Sequence, residues 1–183
     1  MQSADNQQER LQKFDANLNW YIAGFIDGEG CFSVSIRRSK FSRLGWTVNP
    51  LFQVYQHRDN AKVLYICKQI FECGYVSEKG GNPSCFTYAI DKINDLITKV
   101  IPFFDEYRLI GEKYKNFLLF KDIVIRMGNK EHLTQSGFIK IAEKSFQMNR
   151  NGKYRKISLE EIMVSFAKSP TTIRQNRSAN DKI

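Results

Sequence analysis

The sequence predicts an α+β protein in which helices alternate with two β-hairpins. Apolar and polar residues alternate between positions 30 and 58 and again between 74 and 90, which is typical of strands with one buried face. The segments around these runs repeat their apolar residues every three to four positions, as amphipathic helices do. With 183 residues, of which 42% are hydrophobic, the chain is long enough to bury a core.

The first predicted helix begins after Asn17 and ends at Gly28 and Gly30, with apolar residues at positions 18, 21, 22, 25 and 26. The first hairpin follows at once, and its strands are joined by a polar connection over residues 38–46. The apolar residues of one parity form its predicted buried face, namely Phe32, Val34, Ile36, Val48, Phe52 and Val54.

Four further helices and a second hairpin are predicted up to residue 148. A helix over residues 61–72 is capped by Asp59, and the second hairpin joins 74–79 to 85–90 through a Gly-Gly-Asn-Pro turn. Asp91 caps the next helix, which stops near Pro102. A helix over 111–126 follows, and another covers 134–148. The residues that the 111–126 helix is predicted to bury are Tyr114, Phe117, Leu118 and Ile125.

A last helix over residues 158–166 opens with a capping box formed by Ser158 and Glu161. The polar segment 1–12 and the segment 169–183, which carries few apolar residues, are predicted to be flexible. The sequence therefore predicts a single domain over residues 13–168, between these two segments.

The charge distribution predicts a polyanionic partner. Lys and Arg number 28 against 19 Asp and Glu, a net charge of +9, and residues 30–58 contain no acid at all. A solvated polar sheet face is the alternative, but such a face rarely lacks acids. Gln, Asn and Arg suit base edges and phosphates, and a two-stranded ribbon fits the major groove. The predicted DNA-binding residues are Ser33, Ser35, Arg37, Arg38, Lys40, Arg43, Thr47, Asn49, Gln53, Tyr55, Lys79, Thr87, Lys140, Arg150 and Lys153.

Other classes of protein fit poorly. No apolar run approaches the roughly 18 residues of a membrane span, and the polar N-terminus lacks the apolar core of a signal peptide. Membrane association is therefore not expected. The four cysteines form no C-x-x-C pair and only two histidines exist, so a zinc site is poorly supported and free thiols are favoured.

Residues 18–30 carry two features that a mere packing helix does not need. Ala23, Gly24 and Gly28 leave a strip of small residues, although a glycine inside a helix costs about 1 kcal/mol. Asp27 and Glu29 lie at the negative end of the helix dipole, at a cost of about 0.3–1 kcal/mol. Two copies packed in parallel through the strip, with a divalent cation between their Glu29 carboxylates, would explain both features. Oxygen ligands without His or Cys suit Mg²⁺. The alternative is a helix that ends at glycine and carries incidental acids.

The nine residues Ile22–Gly30, IAGFIDGEG, resemble the motif of the LAGLIDADG homing endonucleases. Three more segments resemble the family in the same order: Gln53–Gln56, Tyr107–Lys113 and His132–Ile141. The resemblance covers about residues 18–150. It implies a homing-endonuclease-like α-β-β-α-β-β-α unit whose four antiparallel strands form a DNA-binding saddle, followed here by additional C-terminal helices.

The resemblance also implies roles for individual residues. Glu29 of each subunit binds Mg²⁺ (or Mn²⁺), with the Gly28 carbonyl as a further ligand. Gln56 positions the attacking water, and Lys113 stabilises developing negative charge, with Lys115 as the alternative lysine. Asp27 is implied to be a structural residue of the helix end rather than a metal ligand. The predicted dimer-interface residues are Tyr21, Ala23, Gly24, Ile26 and Asp27.

A single copy of the motif implies a homodimer that cleaves a long, roughly palindromic double-stranded DNA site and is encoded within an intron. The alternative is an RNA-splicing maturase that binds intron RNA, or a DNA-binding protein of the same fold that does not cleave. Retention of the acid Glu29 favours the nuclease. Such genes often reside in introns of the mitochondrion or chloroplast, and a polar N-terminus without a targeting peptide fits synthesis inside the organelle.

Overall fold

The computed structural model describes the backbone of residues 2–151 and 155–167 and the side chains of residues 16–149 and 155–167. A 3-10 turn at Arg58–Asn60, a π turn at Leu96–Val100 and a 3-10 turn at Glu131–Leu133 accompany the main elements. Those elements are, in chain order, α1 (Gln2–Glu29), β1 (Gly30–Arg38), β2 (Trp46–His57), α2 (Lys62–Phe71), β3 (Tyr75–Lys79), β4 (Asn82–Ile90), α3 (Ile93–Asp95), α4 (Ile101–Glu106), α5 (Lys113–Gly128), α6 (Gln135–Asn151) and α7 (Leu159–Ala167).

The four strands form one antiparallel sheet in the order β1-β2-β4-β3. β1 pairs with β2 from Gly30–Val54 to Arg38–Trp46, and β2 pairs with β4 over Phe52–His57. The twelve-residue strand β2 therefore joins the two hairpins into a continuous sheet. In β1 and β2 most side chains of one parity are buried beneath the helices, and those of the other parity are half-buried or exposed. The predicted α+β fold, with its four-stranded antiparallel sheet, is confirmed.

Phe32 lies at the centre of the core between the sheet and the helices. Its ring centroid is 5.2 Å from that of Phe52, 5.3 Å from those of Phe104 and Phe120, and 5.4 Å from that of Phe117. Only 1% of Phe32 is exposed. Aromatic pairs at these separations add about 0.5–1.5 kcal/mol beyond the area that they bury. The cluster fixes β1 against α4 and α5, and so fixes the strand that follows the end of α1.

Phe32→Ala is expected to lower the free energy of unfolding by about 3–5 kcal/mol, because it removes a ring at the centre of this cluster. Chemical denaturation monitored by circular dichroism measures the change. Phe41→Ala is the matched control: Phe41 is fully exposed in the β1–β2 loop, and its truncation should change stability by less than about 0.5 kcal/mol. Equal losses in the two variants would contradict the assigned core.

Two predicted helix starts are wrong. α1 begins at Gln2 instead of Leu18, because residues 2–17 contain neither proline nor glycine and continue the helix. Asp59 does not cap α2: it lies in the 3-10 turn, where its backbone N–H donates to His57 Nδ1, and Ala61 is the N-cap residue. One half of the predicted capping box of α7 is present, since the Glu161 N–H donates to Ser158 Oγ at 3.0 Å, but the Glu161 carboxylate pairs with Arg38.

The predicted helix end near Pro102 is also wrong, because helical structure continues to Glu106. Pro102 lies in the first turn of α4, after the π turn, where the N–H that proline lacks is not needed. On α5, Leu118 and Ile125 are 44% and 40% exposed and not buried as predicted. The core-facing stripe of this helix consists instead of Phe117, Phe120, Ile123, Val124 and Met127.

Candidate nucleic-acid interface and active site

α1 passes into β1 without a connecting loop, and this places Glu29 beside the sheet. Ile22 and Ile26 are fully buried and anchor the last turns of the helix. Gly30 is required at the junction, because a Cβ there would lie 2.5 Å from Ile26 Cγ2 and 2.8 Å from the Ile26 carbonyl oxygen. Gly28 and Glu29 are exposed. The junction therefore presents an exposed carboxylate beside exposed backbone at the end of the sheet.

Lys113, the first residue of α5, contacts the end of α1. Its Nζ donates to the carbonyl oxygens of Ile26 at 2.9 Å and Gly28 at 3.0 Å, which satisfies carbonyls left unpaired at a helix C-terminus. Burial lowers the pKa of Lys113, and the negative charges of Asp27 and Glu29 oppose that shift. Of the two lysines considered from the sequence, Lys113 is the one beside Glu29.

Lys115 lies near the same site but has a different partner. Its Nζ is paired with Glu112 Oε1 at 2.8 Å, and 74% of its side chain is exposed. An exposed ion pair of this kind is weak, and it does not direct Lys115 to the end of α1.

Asp27 holds the segment that precedes α5. Its Oδ2 accepts hydrogen bonds from the backbone N–H groups of Ile110 at 3.2 Å and Gly111 at 3.0 Å. The carboxylate predicted for the dimer interface is thus directed to its own chain. This contact agrees with the structural role that the family resemblance implies for Asp27.

Gln56 lies close to the α1–β1 junction by the register of the sheet. The first pair of the β1–β2 hairpin is Gly30–Val54, so Gln56 extends two residues beyond that pair, level with the end of α1. Its Oε1 accepts a hydrogen bond from the His57 N–H at 2.7 Å. The three residues with implied catalytic roles, Glu29, Gln56 and Lys113, therefore come from three elements that meet at one corner of the sheet.

Two of the predicted interface residues are wrong. Ala23 and Ile26 are 2% and 0% exposed, because their positions on α1 face the protomer's own core. Tyr21 is 61% exposed, and Gly24 is exposed with no atom within 4 Å of a Cβ built on it. The free face of α1 therefore follows Tyr21, Gly24 and Gly28, which are spaced by one helical turn.

Most of the predicted DNA-binding residues of β1 and β2 lie on the sheet face opposite the helices. The cross-strand pairs on this face include Ser35–Asn49 and Arg37–Thr47. Lys79 reaches the same face from β3, where its Nζ lies 4.6 Å from the Tyr55 ring centroid. Together these residues make an open face that is polar and cationic: Ser33, Ser35, Arg37, Thr47, Asn49, Gln53, Tyr55 and Lys79.

Two predicted DNA-binding residues contact other parts of the protein, and a third is buried on the open face. Arg38 has the parity of the core face, where it pairs with Glu161 at 2.7 Å and covers the Trp46 ring at 4.7 Å. Arg43 donates to the Leu133 carbonyl at 2.9 Å, so it fastens the β1–β2 loop to the start of α6. Thr87 lies on the open face but is only 8% exposed.

The other predicted contacts lie outside the strands. Lys40 is exposed in the β1–β2 loop, and Lys140 is exposed on α6. Lys153 and the side chain of Arg150 fall outside the described residues.

Two residues at the junction were given no site role from the sequence. Cys31 has the parity of Ser33, so the alternation itself placed it on the open face; burial raises the pKa of its thiol. Asn149 adopts φ +49° near the end of α6 and donates from Nδ2 to the Phe32 carbonyl at 2.9 Å. Its backbone N–H donates to Asn116 Oδ1 at 2.8 Å. Both residues line, with Lys113, a hollow of about 880 Å³.

The donor set at the junction fits a hard divalent cation. Within the described ranges no group of three His, Cys, Asp or Glu side chains is placed to hold a metal. One protomer offers the Glu29 carboxylate and the Gly28 carbonyl, which are oxygen ligands of the kind that Mg²⁺ prefers. These two groups leave coordination positions that further oxygen ligands, such as water or a phosphate, can fill.

Comparison with known proteins gives consistent results. The sequence model described as "LAGLIDADG endonuclease" matches residues 22–124. "Homing endonuclease I-ApeII" of Aeropyrum pernix is 32% identical over 151 residues, which are 80% of this chain and 88% of that protein. The solved structure "Archaeal Intron-encoded Homing Endonuclease I-Vdi141I Complexed With DNA" superposes with a TM-score of 0.78 at 31% identity, covering 84% of this chain and 97% of the other.

Some relatives are much longer. "Probable intron-encoded endonuclease 2" of Neurospora crassa is 36% identical over 125 residues, which are 68% of this chain but 26% of that protein. The chain thus spans about a quarter of the length of this relative. In the part of the chain that the structure describes, no helix is long and apolar enough to cross a membrane.

Proposed function

Because this chain belongs to the LAGLIDADG endonuclease family, we propose that it is an intron-encoded homing endonuclease that cuts both strands of a long, roughly palindromic DNA site as a homodimer. One observation carries the proposal. The acid Glu29 ends α1 beside Lys113, at the edge of a polar, cationic sheet face that no helix covers in the described part of the chain.

The open face supports recognition of double-stranded DNA. Its amide and hydroxyl side chains offer donors and acceptors to base edges, while Arg37 and Lys79 offer positive charge to phosphates. Between residues 30 and 58 no acid opposes this charge. The curvature of a twisted antiparallel sheet lets such a face follow a groove over several base pairs.

The junction supports phosphodiester hydrolysis. LAGLIDADG endonucleases depend on a divalent metal ion, and Mg²⁺ (or Mn²⁺) when bound polarises the phosphate and makes a bound water more acidic. Glu29 and the Gly28 carbonyl would hold it. Gln56 would orient the attacking water by hydrogen bonding. The Lys113 ammonium, fixed by two carbonyls, would stabilise the extra negative charge that develops on the phosphate.

The free face of α1 supports a dimer. Gly24 and Gly28 leave a flat strip on which a second helix backbone can approach closely, and Tyr21 flanks the strip. Two α1 helices packed there would bring both Glu29 carboxylates together. This arrangement supplies the second carboxylate that one protomer lacks, and two-fold symmetry matches a roughly palindromic site.

The maturase reading, with intron RNA as partner, is not favoured, because the acid is retained and is placed beside Lys113. Relatives named as intron-encoded support an origin within an intron. We extend this to an intron of the mitochondrion or chloroplast as part of the proposal.

Incubation of the purified protein with a randomised library of double-stranded DNA, with and without Mg²⁺, tests the proposal. Sequencing of the cut ends should return one long site whose halves are related by approximate two-fold symmetry, and only when the metal is present. Binding to DNA without cutting in Mg²⁺ or Mn²⁺ would identify a non-cleaving relative. Binding to structured RNA alone would identify a maturase.

Arg37→Ala should weaken binding to the selected site and reduce the slope of log Kd against log salt concentration by about one, because one phosphate contact is lost. Fluorescence anisotropy over a range of KCl concentrations, in EDTA, measures the slope. Lys68→Ala on α2 removes the same charge from an exposed position on the helical side and should leave the slope unchanged. An equal decrease in this slope for both variants would mean that the slope depends on net charge alone.

A further inference from the structure

Two sets of hydrogen bonds join the end of α1 to the start of α5, one made by a side chain of α1 and the other by a side chain of α5. Asp27 accepts the N–H groups of Ile110 and Gly111, and Lys113 donates to the carbonyls of Ile26 and Gly28. Asp27 thus holds the turn that precedes Lys113. Lys113 in turn binds the carbonyls of the two residues that flank Asp27 in the chain.

The turn has little else to hold it at this point. Ile110 is 95% exposed, so its side chain contributes no packing within the protomer. Among the described residues, the backbone hydrogen bonds of Ile110 and Gly111 as donors go to Asp27 Oδ2. Leu109, only 3% exposed, anchors the chain just before the turn but not the peptide groups within it.

Gly111 transmits the contact to Lys113. A Cβ at this position would lie 3.2 Å from Asp27 Oδ1 and 3.3 Å from Oδ2, so the carboxylate packs directly on the glycine. The Gly111 carbonyl accepts the Tyr114 N–H at 3.0 Å, which closes the first turn of α5 around Lys113. A displacement of Gly111 therefore displaces Lys113.

We propose that Asp27 is a positioning residue: its carboxylate oxygen fixes the Ile110–Gly111 turn and thereby sets the place of the Lys113 ammonium beside Glu29. The consequence for catalysis rests on the proposed function. The role needs an acceptor oxygen at this place, because Oδ2 receives two N–H donors, while Oδ1 is buried without a hydrogen-bond partner among the described residues.

Two substitutions separate this role from others. Asp27→Ala removes the acceptor, and single-turnover cleavage of the selected site should fall by about ten- to a hundredfold, while the Kd for DNA in EDTA changes less than about twofold. Asp27→Asn keeps an oxygen that can accept both N–H groups and should restore most of the rate. An Asn variant as slow as the Ala variant would overturn the proposal, since charge or metal binding would then be the function.

A double-mutant cycle with Lys113→Met tests whether Asp27 acts through the lysine. In the Lys113→Met background, Asp27→Ala should cause no further loss of rate. A loss equal to that in the wild-type background would show a merely structural effect and contradict the proposal. Melting temperatures of all four proteins account for any loss of fold.

A measurement without DNA keeps the inference separate from the proposed function. An amine-acylating reagent with mass spectrometry should modify Lys113 faster in Asp27→Ala than in wild type or Asp27→Asn. Lys115, already 74% exposed, is the internal reference and should not change. If the wild-type protein cuts no DNA, the proposed function fails, and this labelling alone decides the positioning role. An unchanged labelling rate of Lys113 in Asp27→Ala would refute the positioning role of Asp27.

Discussion

Glu29→Gln is expected to retain specific DNA binding and to lose at least about a thousandfold in cleavage rate. The substitution keeps the size of the side chain and removes the exposed carboxylate at the end of α1. The other acid of this turn, Asp27, already accepts hydrogen bonds from Ile110 and Gly111 through Oδ2. A neutral amide is a much weaker ligand for Mg²⁺ than a carboxylate. Because Glu29 is exposed, the protein fold should not change.

Single-turnover cleavage of the selected DNA site in Mg²⁺ measures the rate, and anisotropy in EDTA measures binding. Glu106→Gln is the matched control, since Glu106 is an exposed acid at the end of α4, away from the junction. Its cleavage rate should stay within about twofold of wild type. Cleavage by Glu29→Gln at the wild-type rate would remove Glu29 from the catalytic site.

Periodicity in the sequence predicted the sheet and the open face because both depend on local alternation. The parity of Phe32, Val34 and Ile36 places these residues beneath the helices, and the opposite parity places Ser35 and Arg37 on the open face. The same rule assigns Arg38 to the helical side, where it pairs with Glu161. Arg38 was predicted to bind DNA from its charge alone, although its position in the alternation already argued against that role.

Contacts between distant segments could not be predicted in this way. The pairs Asp27–Gly111 and Lys113–Gly28 join the end of α1 to the start of α5, and no periodicity relates the two. The family resemblance identified Lys113 as a site residue, but it did not show which atoms this lysine contacts. The rotation of α1 was also undetermined, because a strip of small residues does not say which of its members face the core; packing against the sheet buried Ala23 and left Gly24 free.

Gly24→Leu is expected to split the proposed dimer and, with it, to abolish double-strand cleavage. A side chain on the strip would separate two α1 backbones, and overpacking of this kind costs about 1–3 kcal/mol at each of the two symmetric positions. The dimer dissociation constant should therefore rise by at least about thirtyfold. The protomer has room for the substitution, because no atom lies within 4 Å of a Cβ at position 24.

The substitution separates assembly from folding, since leucine has a higher helix propensity than glycine by about 0.5–1 kcal/mol. The melting temperature of the protomer should hold or rise while sedimentation shows the loss of the dimer. Lys68→Leu on α2 also adds an exposed leucine and should sediment as wild type. Gly24→Ala should give an intermediate dissociation constant, because the helices need to move apart by less. A Gly24→Leu protein that remains a dimer and cuts both strands would place the subunit interface elsewhere than on the free face of α1.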